Sequence, residues 1–253
     1  MAITGISNAS MDYGKLASGK RINSAADDAA GLSIANKMLK ESNGFDVGAS
    51  NIQDGIGVAN IKDGSLSTMQ ESLQRIRELS LKASNGIYGS SEKQMIQDEV
   101  DQLLQDIERT AVGTSYNEMK LMDGSKSDIN IASNPDGSGM KIQMENVTLQ
   151  ALGIDGYDVT GNFDIGKIDA AMEKINASRS GTGAVTNAME HSYNNNTRMS
   201  LELTGARSRI EDLDMPKAIS EQKKDKLLQD YQMGMMRKKM TNDSMVLKLF
   251  GAM

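Results

Sequence analysis

Apolar side chains recur every three or four residues along much of this chain, which is the spacing of one face of an α-helix. The first stripe comprises Ile52, Ile56, Ala59, Leu66, Met69, Leu73 and Ile76. Asp63 marks a polar break in it, and the segment 85–89 ends it with two glycines. Glycine favours the left-handed conformation that closes many helices.

A second stripe follows that break, at Ile96, Val100, Leu103, Ile107 and Ala111. Ser91 and Gln94 have the spacing of a capping box, so we expect Ser91 to cap this helix. Two helices joined by a glycine turn are predicted to pack as an antiparallel pair.

The strongest periodicity lies in the second half of the chain. Steps of four and three alternate through Val185, Met189, Ser192, Asn196, Met199, Leu203, Ala206, Ile210 and Leu213. Four heptads of this kind make about 42 Å of helix. Ser192 and Asn196 are polar members of an apolar seam. They either tolerate solvent locally or fix the register, as a buried Asn does in coiled coils.

The segment between these helical regions has a different pattern. Residues 128–131 and 140–144 alternate apolar and polar side chains around a turn at 134–139 that contains Pro135, Asp136 and Gly137. This pattern predicts a β-hairpin at about 128–145. Residues 153–166 are rich in Gly and Asp and are predicted to form a loop, and the helical pattern resumes by Ile168.

Composition supports a mainly α protein and excludes several other classes. The 253 residues include three Phe, six Tyr, no Trp and two Pro, a composition that suits long helices with narrow seams. We therefore predict an elongated antiparallel helical bundle or coiled-coil rod with a small β-hairpin insert. The chain has no Cys and one His, which excludes disulfides, thiolate sites and multi-His zinc sites.

Charge and hydropathy give no sign of nucleic-acid binding or of a membrane-spanning segment. The net charge is −6, which gives no reason to expect nucleic acid as a partner. No apolar run is long enough to span a membrane, and the first residues lack a secretory pattern. Residues 217–239 form a basic stretch in this acidic chain, and an apolar segment follows at 245–250.

Residue types that carry catalysis do not form a recognisable site. His191 adjoins Ser192, but neighbours on a helix point in different directions, so a catalytic pair is not predicted. The acidic clusters near Asp27, Asp98 and Glu211 fit solvated or paired helix faces. We predict no enzyme activity, no catalytic residues, no cofactor and no metal site.

Five methionines near the end of the chain offer adaptable contacts and favour association between chains. They are Met233, Met235, Met236, Met240 and Met245.

Four segments of the chain resemble bacterial flagellin. They are residues 16–32 (LASGKRINSAADDAAGL), 51–56 (NIQDGI), 73–79 (LQRIREL) and 203–212 (LTGARSRIED). The resemblance covers nearly the whole chain in the family's order, and the outer domains that usually follow the hairpin are expected to be missing.

The resemblance implies a structural subunit of the extracellular flagellar filament, which assembles helically for motility. It implies three parts: residues 1–40 as an inner-tube segment and spoke, 41–213 as the rod, and 214–253 as the C-terminal inner-tube helix. Implied partners are further copies of the chain, an export chaperone and the type III export apparatus, and filament-cap and hook-junction proteins. For terminal assembly we predict Leu227, Tyr231, Met235, Val246, Leu247, Leu249 and Phe250.

The resemblance further implies that the monomer binds Toll-like receptor 5. The family's contact positions fall on Arg75, Leu79 and Glu99. Arg75 and Leu79 are four residues apart and are expected to share one helix face, while Glu99 comes from the antiparallel neighbour.

One departure from the family leaves alternatives open. About fifteen residues precede the 16–32 motif, fewer than the family's usual N-terminal helix, so we expect a shortened partner for the C-terminal helix. The alternatives are a flagellin-like hook–filament junction protein and a secreted adaptor or immunomodulatory protein that does not polymerise.

Overall fold

The computed structural model describes residues 13–250, with the side chains of Asp243 and of 246–250 left aside. A short helix α1 covers 13–18. The other helices are α2 (Ala29–Ala83), α3 (Ser90–Gly113), α4 (Leu149–Leu152), α5 (Gly166–Glu211) and α6 (Met215–Phe250). The strands are β1 (Ser115–Tyr116), β2 (Met119–Lys120), β3 (Asp128–Ala132) and β4 (Gly139–Gln143). The predicted mainly α class is confirmed.

The described residues form two compact units. Glu41–Leu201 make up the first, here called the mid-chain unit, and the described residues before Glu41 and after Leu201 make up the second, the terminal unit.

Helices α2 and α3 pack antiparallel within the mid-chain unit. Near one end of the pair, Arg75 contacts Glu99 through a hydrogen bond of 2.7 Å. Near the other end, the Thr114 hydroxyl donates to Ser65 over 3.0 Å. From the first contact to the second, the residue number falls from 75 to 65 along α2 and rises from 99 in α3 to 114 just after it, as an antiparallel arrangement requires.

Helix α5 runs antiparallel to α2 in the same unit. Arg77 pairs with Asp169, and Arg179 pairs with Asp63. Further along, the hydroxyls of Ser42 and Ser200 lie 3.0 Å apart. The three helices enclose a common apolar core.

Most predicted seam positions lie in this core. Those exposed by 7% or less are Ile52, Leu66, Met69, Leu73, Ile76, Ile96, Val100, Ile107 and Met189. Ile56, Leu103 and Val185 are partly buried against it. In the terminal unit, Leu203, Ile210 and Leu213 are half-buried.

Two expectations from the sequence were wrong. Met199 is 37% exposed, whereas the polar side chains of Asn196 and Ser200 are buried at this level of α5. Asn196 meets the Ser133 carbonyl of the β3–β4 turn and Ser200 meets the Ser42 hydroxyl of α2, so polar side chains occupy the covered face. The cap of α3 is Gly89 rather than Ser91, and the Lys93 amide donates to the Gly89 carbonyl.

Strands β3 and β4 form the predicted antiparallel hairpin, with Asp128 opposite Gln143 and Ala132 opposite Gly139. Gly137 in the turn has φ +84°, which favours glycine. Two asparagines fasten the hairpin to the helices: Asn51 of α2 donates to the Ala132 carbonyl over 2.9 Å, and Asn196 of α5 donates to the Ser133 carbonyl over 2.6 Å. The buried Asn196 thus bonds to the hairpin rather than to a neighbouring helix, and its role in fixing the register of a coiled coil stays a prediction.

A smaller hairpin, β1–β2, was not predicted from the sequence. Its turn places Asn117 and Glu118 at positive φ, and Glu is not a residue type that predicts this conformation.

The predicted loop at 153–166 is held in part by a side chain of α3. The Gln97 side chain donates to the Tyr157 carbonyl and accepts from the Val159 amide.

Candidate assembly surface and receptor-contact residues

Helix α6 presents apolar side chains to solvent over most of its length. Every described side chain from 223 to 242 is exposed. Leu227, Tyr231 and Met235, which were predicted to serve assembly, are 69%, 66% and 53% exposed. Their spacing of four places them along one side of the helix. Val246, Leu247, Leu249 and Phe250 were predicted for the same role, but their side chains lie outside the described residues.

Such a helix gains little stability from the rest of the described residues. Isolated helices are marginal in water, and most helical stability in proteins comes from packing of an apolar face. In the described residues the apolar side of α6 has no such cover, so it is a surface suited to another polypeptide.

Within the terminal unit, residues of the motif at 16–32 form hydrogen bonds with the residues at the end of α5 and just after it. The Arg21 amide donates to the Glu211 carbonyl over 2.7 Å, and the Leu213 amide donates to the Gly19 carbonyl over 2.9 Å. The Arg21 guanidinium donates to the Ile210 carbonyl over 2.6 Å. Two sequence segments that both resemble flagellin are therefore joined here through backbone groups. We call this contact of residues 19–22 with 207–213 the spoke junction.

Glu211 is the charged centre of the spoke junction. Its side chain is 10% exposed and accepts from Lys20 over 2.5 Å and from Arg207 over 2.9 Å. The Lys20 ammonium, followed by the Arg207 guanidinium, holds the pKa of this carboxyl below its ordinary value despite partial burial.

The acidic pair in the same motif starts α2. Asp28 accepts from the Gly31 amide over 2.8 Å, as an N-cap residue does. Asp27 accepts from the backbone amides of Asn23 and Ser24, and these bonds lower the pKa of its carboxyl. These aspartates therefore have structural partners, as the sequence interpretation expected of paired helix faces.

Arg75 and Glu99, two of the three predicted receptor contacts, meet on the surface of the mid-chain unit. The Arg75 Nε and Nη2 atoms donate to one Glu99 oxygen over 2.8 and 2.7 Å. Their side chains are 50% and 45% exposed. This pair raises the pKa of Arg75.

Leu79, the third predicted contact, is 3% exposed and lies in the core. The prediction of a direct contact at Leu79 was wrong for this chain as folded. Position 79 lies one turn beyond Arg75, but its side chain belongs to the core of the mid-chain unit and not to its surface.

Lys62 is a buried charged residue that the sequence analysis missed. It is 2% exposed, and its ammonium donates to the Gln143 carbonyl over 2.7 Å, with Glu145 at 3.8 Å. Burial lowers the pKa of Lys62, and the Glu145 carboxylate partly offsets this effect. A signal existed, because position 62 continues the seam from Ala59 to Leu66 in steps of three and four.

Other candidate chemistry has no assembled site. His191 is exposed on α5. Within the described residues, no group of three or more His, Asp or Glu side chains has an arrangement that could hold a metal ion. No helix in the described part of the chain is long and apolar enough to cross a membrane.

Comparisons with known proteins agree with these features. Residues 3–127 match the family model for the bacterial flagellin N-terminal helical region, and residues 165–250 match that for the C-terminal helical region. The chain is 35% identical over 214 residues to a flagellin of Halalkalibacterium halodurans, covering 82% of this chain and 79% of that protein. It is 33% identical over 236 residues to flagellin FlaB1 of Treponema pallidum, covering 85% and 82%.

A solved structure is also similar. The crystal structure of Bacillus cereus flagellin matches with a TM-score of 0.52 and 26% identity, covering 58% of this chain and 88% of that chain. Together, the two matched regions, the relatives and the fold show that this chain belongs to the bacterial flagellin family, a family of structural subunits of the flagellar filament.

Proposed function

We propose that this flagellin polymerises helically through its mid-chain helices and α6 into an extracellular flagellar filament that serves motility. The observation that carries the proposal is the exposed apolar side of α6, with Leu227 and Tyr231 each about two-thirds exposed. Burial of such surface between subunits is favourable by roughly 25 cal/mol per Å². A contact between two different surfaces that does not close into a ring extends into a filament.

The proposal includes partners that handle the chain before it is incorporated. An uncovered apolar helix is an aggregation hazard in a free monomer. We therefore include an export chaperone, the export apparatus, and cap and hook-junction proteins that receive the chain outside the cell.

Seeded polymerisation tests the proposed contact. Purified full-length chain is mixed with short filament fragments, and elongation is followed by electron microscopy. We expect the wild type to elongate the seeds and the double variant Leu227→Asn with Tyr231→Asn to lose elongation, because its apolar surface is reduced.

A matched control carries Gln229→Asn with Gln232→Asn. These exposed positions lie on the same helix, and the change removes no apolar side chain. Persistent wild-type monomers would contradict the proposal and favour an adaptor that does not polymerise. Normal elongation by the Leu227/Tyr231 variant would contradict the role of α6.

The monomer is also proposed to bind Toll-like receptor 5 through Arg75 and Glu99. Each fixes the other's orientation, which lowers the entropy lost on binding. We expect Arg75→Ala and Glu99→Ala each to weaken binding about tenfold, equivalent to roughly 1.4 kcal/mol.

Exposed ion pairs of this kind contribute only about 0–1 kcal/mol to folding, so both variants should remain folded. Arg109→Ala is the matched control, since Arg109 also lies in an exposed pair, with Asp106. Unchanged affinity of both Arg75 and Glu99 variants would contradict receptor binding at this surface.

A further inference from the structure

Methionines in the mid-chain core and methionines in the middle of α6 differ in exposure. Met69, Met122, Met144 and Met189 belong to the mid-chain core and are 5% exposed or less. On α6, Met233, Met235, Met236 and Met240 are 52%, 53%, 61% and 73% exposed. We call these four the methionine patch.

The patch lies on the part of α6 that holds the proposed assembly side chains. Met233, Met236 and Met240 are separated by steps of three and four, so they share one face. Met235 follows Tyr231 by four residues and continues the face that begins at Leu227. Thioether groups therefore contribute to both apolar faces of the helix.

We propose that the methionine patch is a redox modification site that controls self-assembly, an inference that rests on the proposed polymerisation. The oxidant is a peroxide. A lone pair of the thioether sulfur attacks one peroxide oxygen, the O–O bond breaks, and a sulfoxide forms while the second oxygen leaves as water after proton transfer. Sulfur is oxidised by two electrons and the peroxide is reduced by two.

The modification changes the chemistry of the surface that must be buried. A sulfoxide is polar and chiral, so it opposes burial where the thioether favours it. Oxidation before assembly removes a subunit from growth, whereas an assembled subunit has its thioethers covered. The enzymatic reversibility of the sulfoxide makes the site a switch.

Peptide mapping after brief treatment with hydrogen peroxide tests where oxidation occurs. In the full-length monomer, we expect the patch to gain oxygen at least about tenfold faster than Met69, Met122 and Met189, because access governs the rate. In seeded filaments, the patch should react at least about tenfold more slowly than in the monomer. Equal rates at the patch and in the core would overturn the proposal.

Polymerisation of treated protein tests the consequence. Oxidised wild type should lose seeded elongation. A methionine sulfoxide reductase supplied with a dithiol should restore it, because the sulfoxide oxygen leaves as water while the dithiol is oxidised to a disulfide. A variant with Met233, Met235, Met236 and Met240 all changed to Leu should elongate before and after treatment, since Leu has similar volume and does not oxidise.

The matched control changes Met95 and Met199 to Leu. These residues are 63% and 37% exposed but lie outside α6, so this variant should remain sensitive to peroxide. Normal elongation by oxidised wild type, or equal loss in the patch variant, would overturn the redox proposal and leave polymerisation intact. Failure of untreated wild type to elongate would contradict the proposed function itself, and the redox role with it.

Discussion

Gly48 of α2 lies at a close approach of the β3–β4 hairpin to this helix. A Cβ atom at this position would lie 2.2 Å from the Ser133 carbonyl oxygen and 3.0 Å from the Asn196 amide nitrogen. Both atoms belong to the hydrogen bond that fastens the hairpin to α5. The requirement for glycine here comes from close approach, because Gly48 lies within a regular helix.

Gly48→Ala should therefore destabilise the chain although alanine is the better helix former. We expect a loss of roughly 1–3 kcal/mol in the free energy of unfolding, because the methyl group must displace backbone. Urea unfolding followed by circular dichroism measures this change.

Gly57→Ala provides the control on the same helix. A Cβ there would meet no heavy atom of the described residues within 4 Å, apart from its chain neighbours and its own helix backbone. This variant should gain up to about 1 kcal/mol from helix propensity. A stable Gly48→Ala variant would show that the hairpin can move away from α2 without loss.

At the scale of elements, the sequence predicted the apolar seams of the helices better than it predicted which segments pack against them. Helix α5 has the predicted periodicity, yet its buried positions at this level are Asn196, against the hairpin, and Ser200, against Ser42 of α2, rather than Met199. Helix α2 continues its seam through Lys62, where the edge of the hairpin supplies a carbonyl. In both places the covering element is a segment distant in sequence.

The spoke junction should weaken in acid. Lys20 and Arg207 lower the folded pKa of Glu211, so this carboxylate stabilises the junction above its ordinary value of 4.5. That stabilisation is lost as pH falls through the lower, folded pKa. Amide hydrogen exchange of Arg21 and Leu213, corrected for intrinsic rates, should therefore show falling protection below about pH 4.5.

Glu211→Gln removes the charge and keeps the shape of the side chain. Its protection at neutral pH should be lower than that of the wild type and should change less in acid. Glu221→Gln, at an exposed position of α6, is the control and should behave as the wild type. Identical pH profiles for Glu211→Gln and wild type would contradict the role of this carboxylate.

At the scale of the whole molecule, the apolar core of the described residues is concentrated in the mid-chain unit. Its core residues, such as Leu73 and Val100, are fully buried, whereas the described side chains of α6 from 223 to 242 are all exposed. Local opening is easiest where few apolar contacts oppose it. The chain thus combines a folded body with a helix whose apolar side chains at 223–242 lie uncovered by the rest of the described residues.

Hydrogen exchange should show this contrast directly. In the monomer, amides of 223–242 should exchange at least about a hundredfold faster than those near Leu73 and Val100. After incorporation into filaments, protection in 223–242 should rise at least about tenfold, because subunit contacts oppose opening. Equal protection of α6 in monomer and filament would show that its exposed surface stays uncovered.

The sequence by itself determined the helical periods, the hairpin and the family, because these features depend on the spacing of residue types along the chain. It also identified the residues that meet at the spoke junction, through two motifs, without showing that they touch. Only the tertiary structure decided that Leu79 is buried in the core, that Lys62 is buried beside Gln143, and that Asn196 bonds to the hairpin. Periodicity defines a helix face, but whether that face meets solvent, carbon atoms or a carbonyl group depends on elements brought to it from elsewhere in the chain.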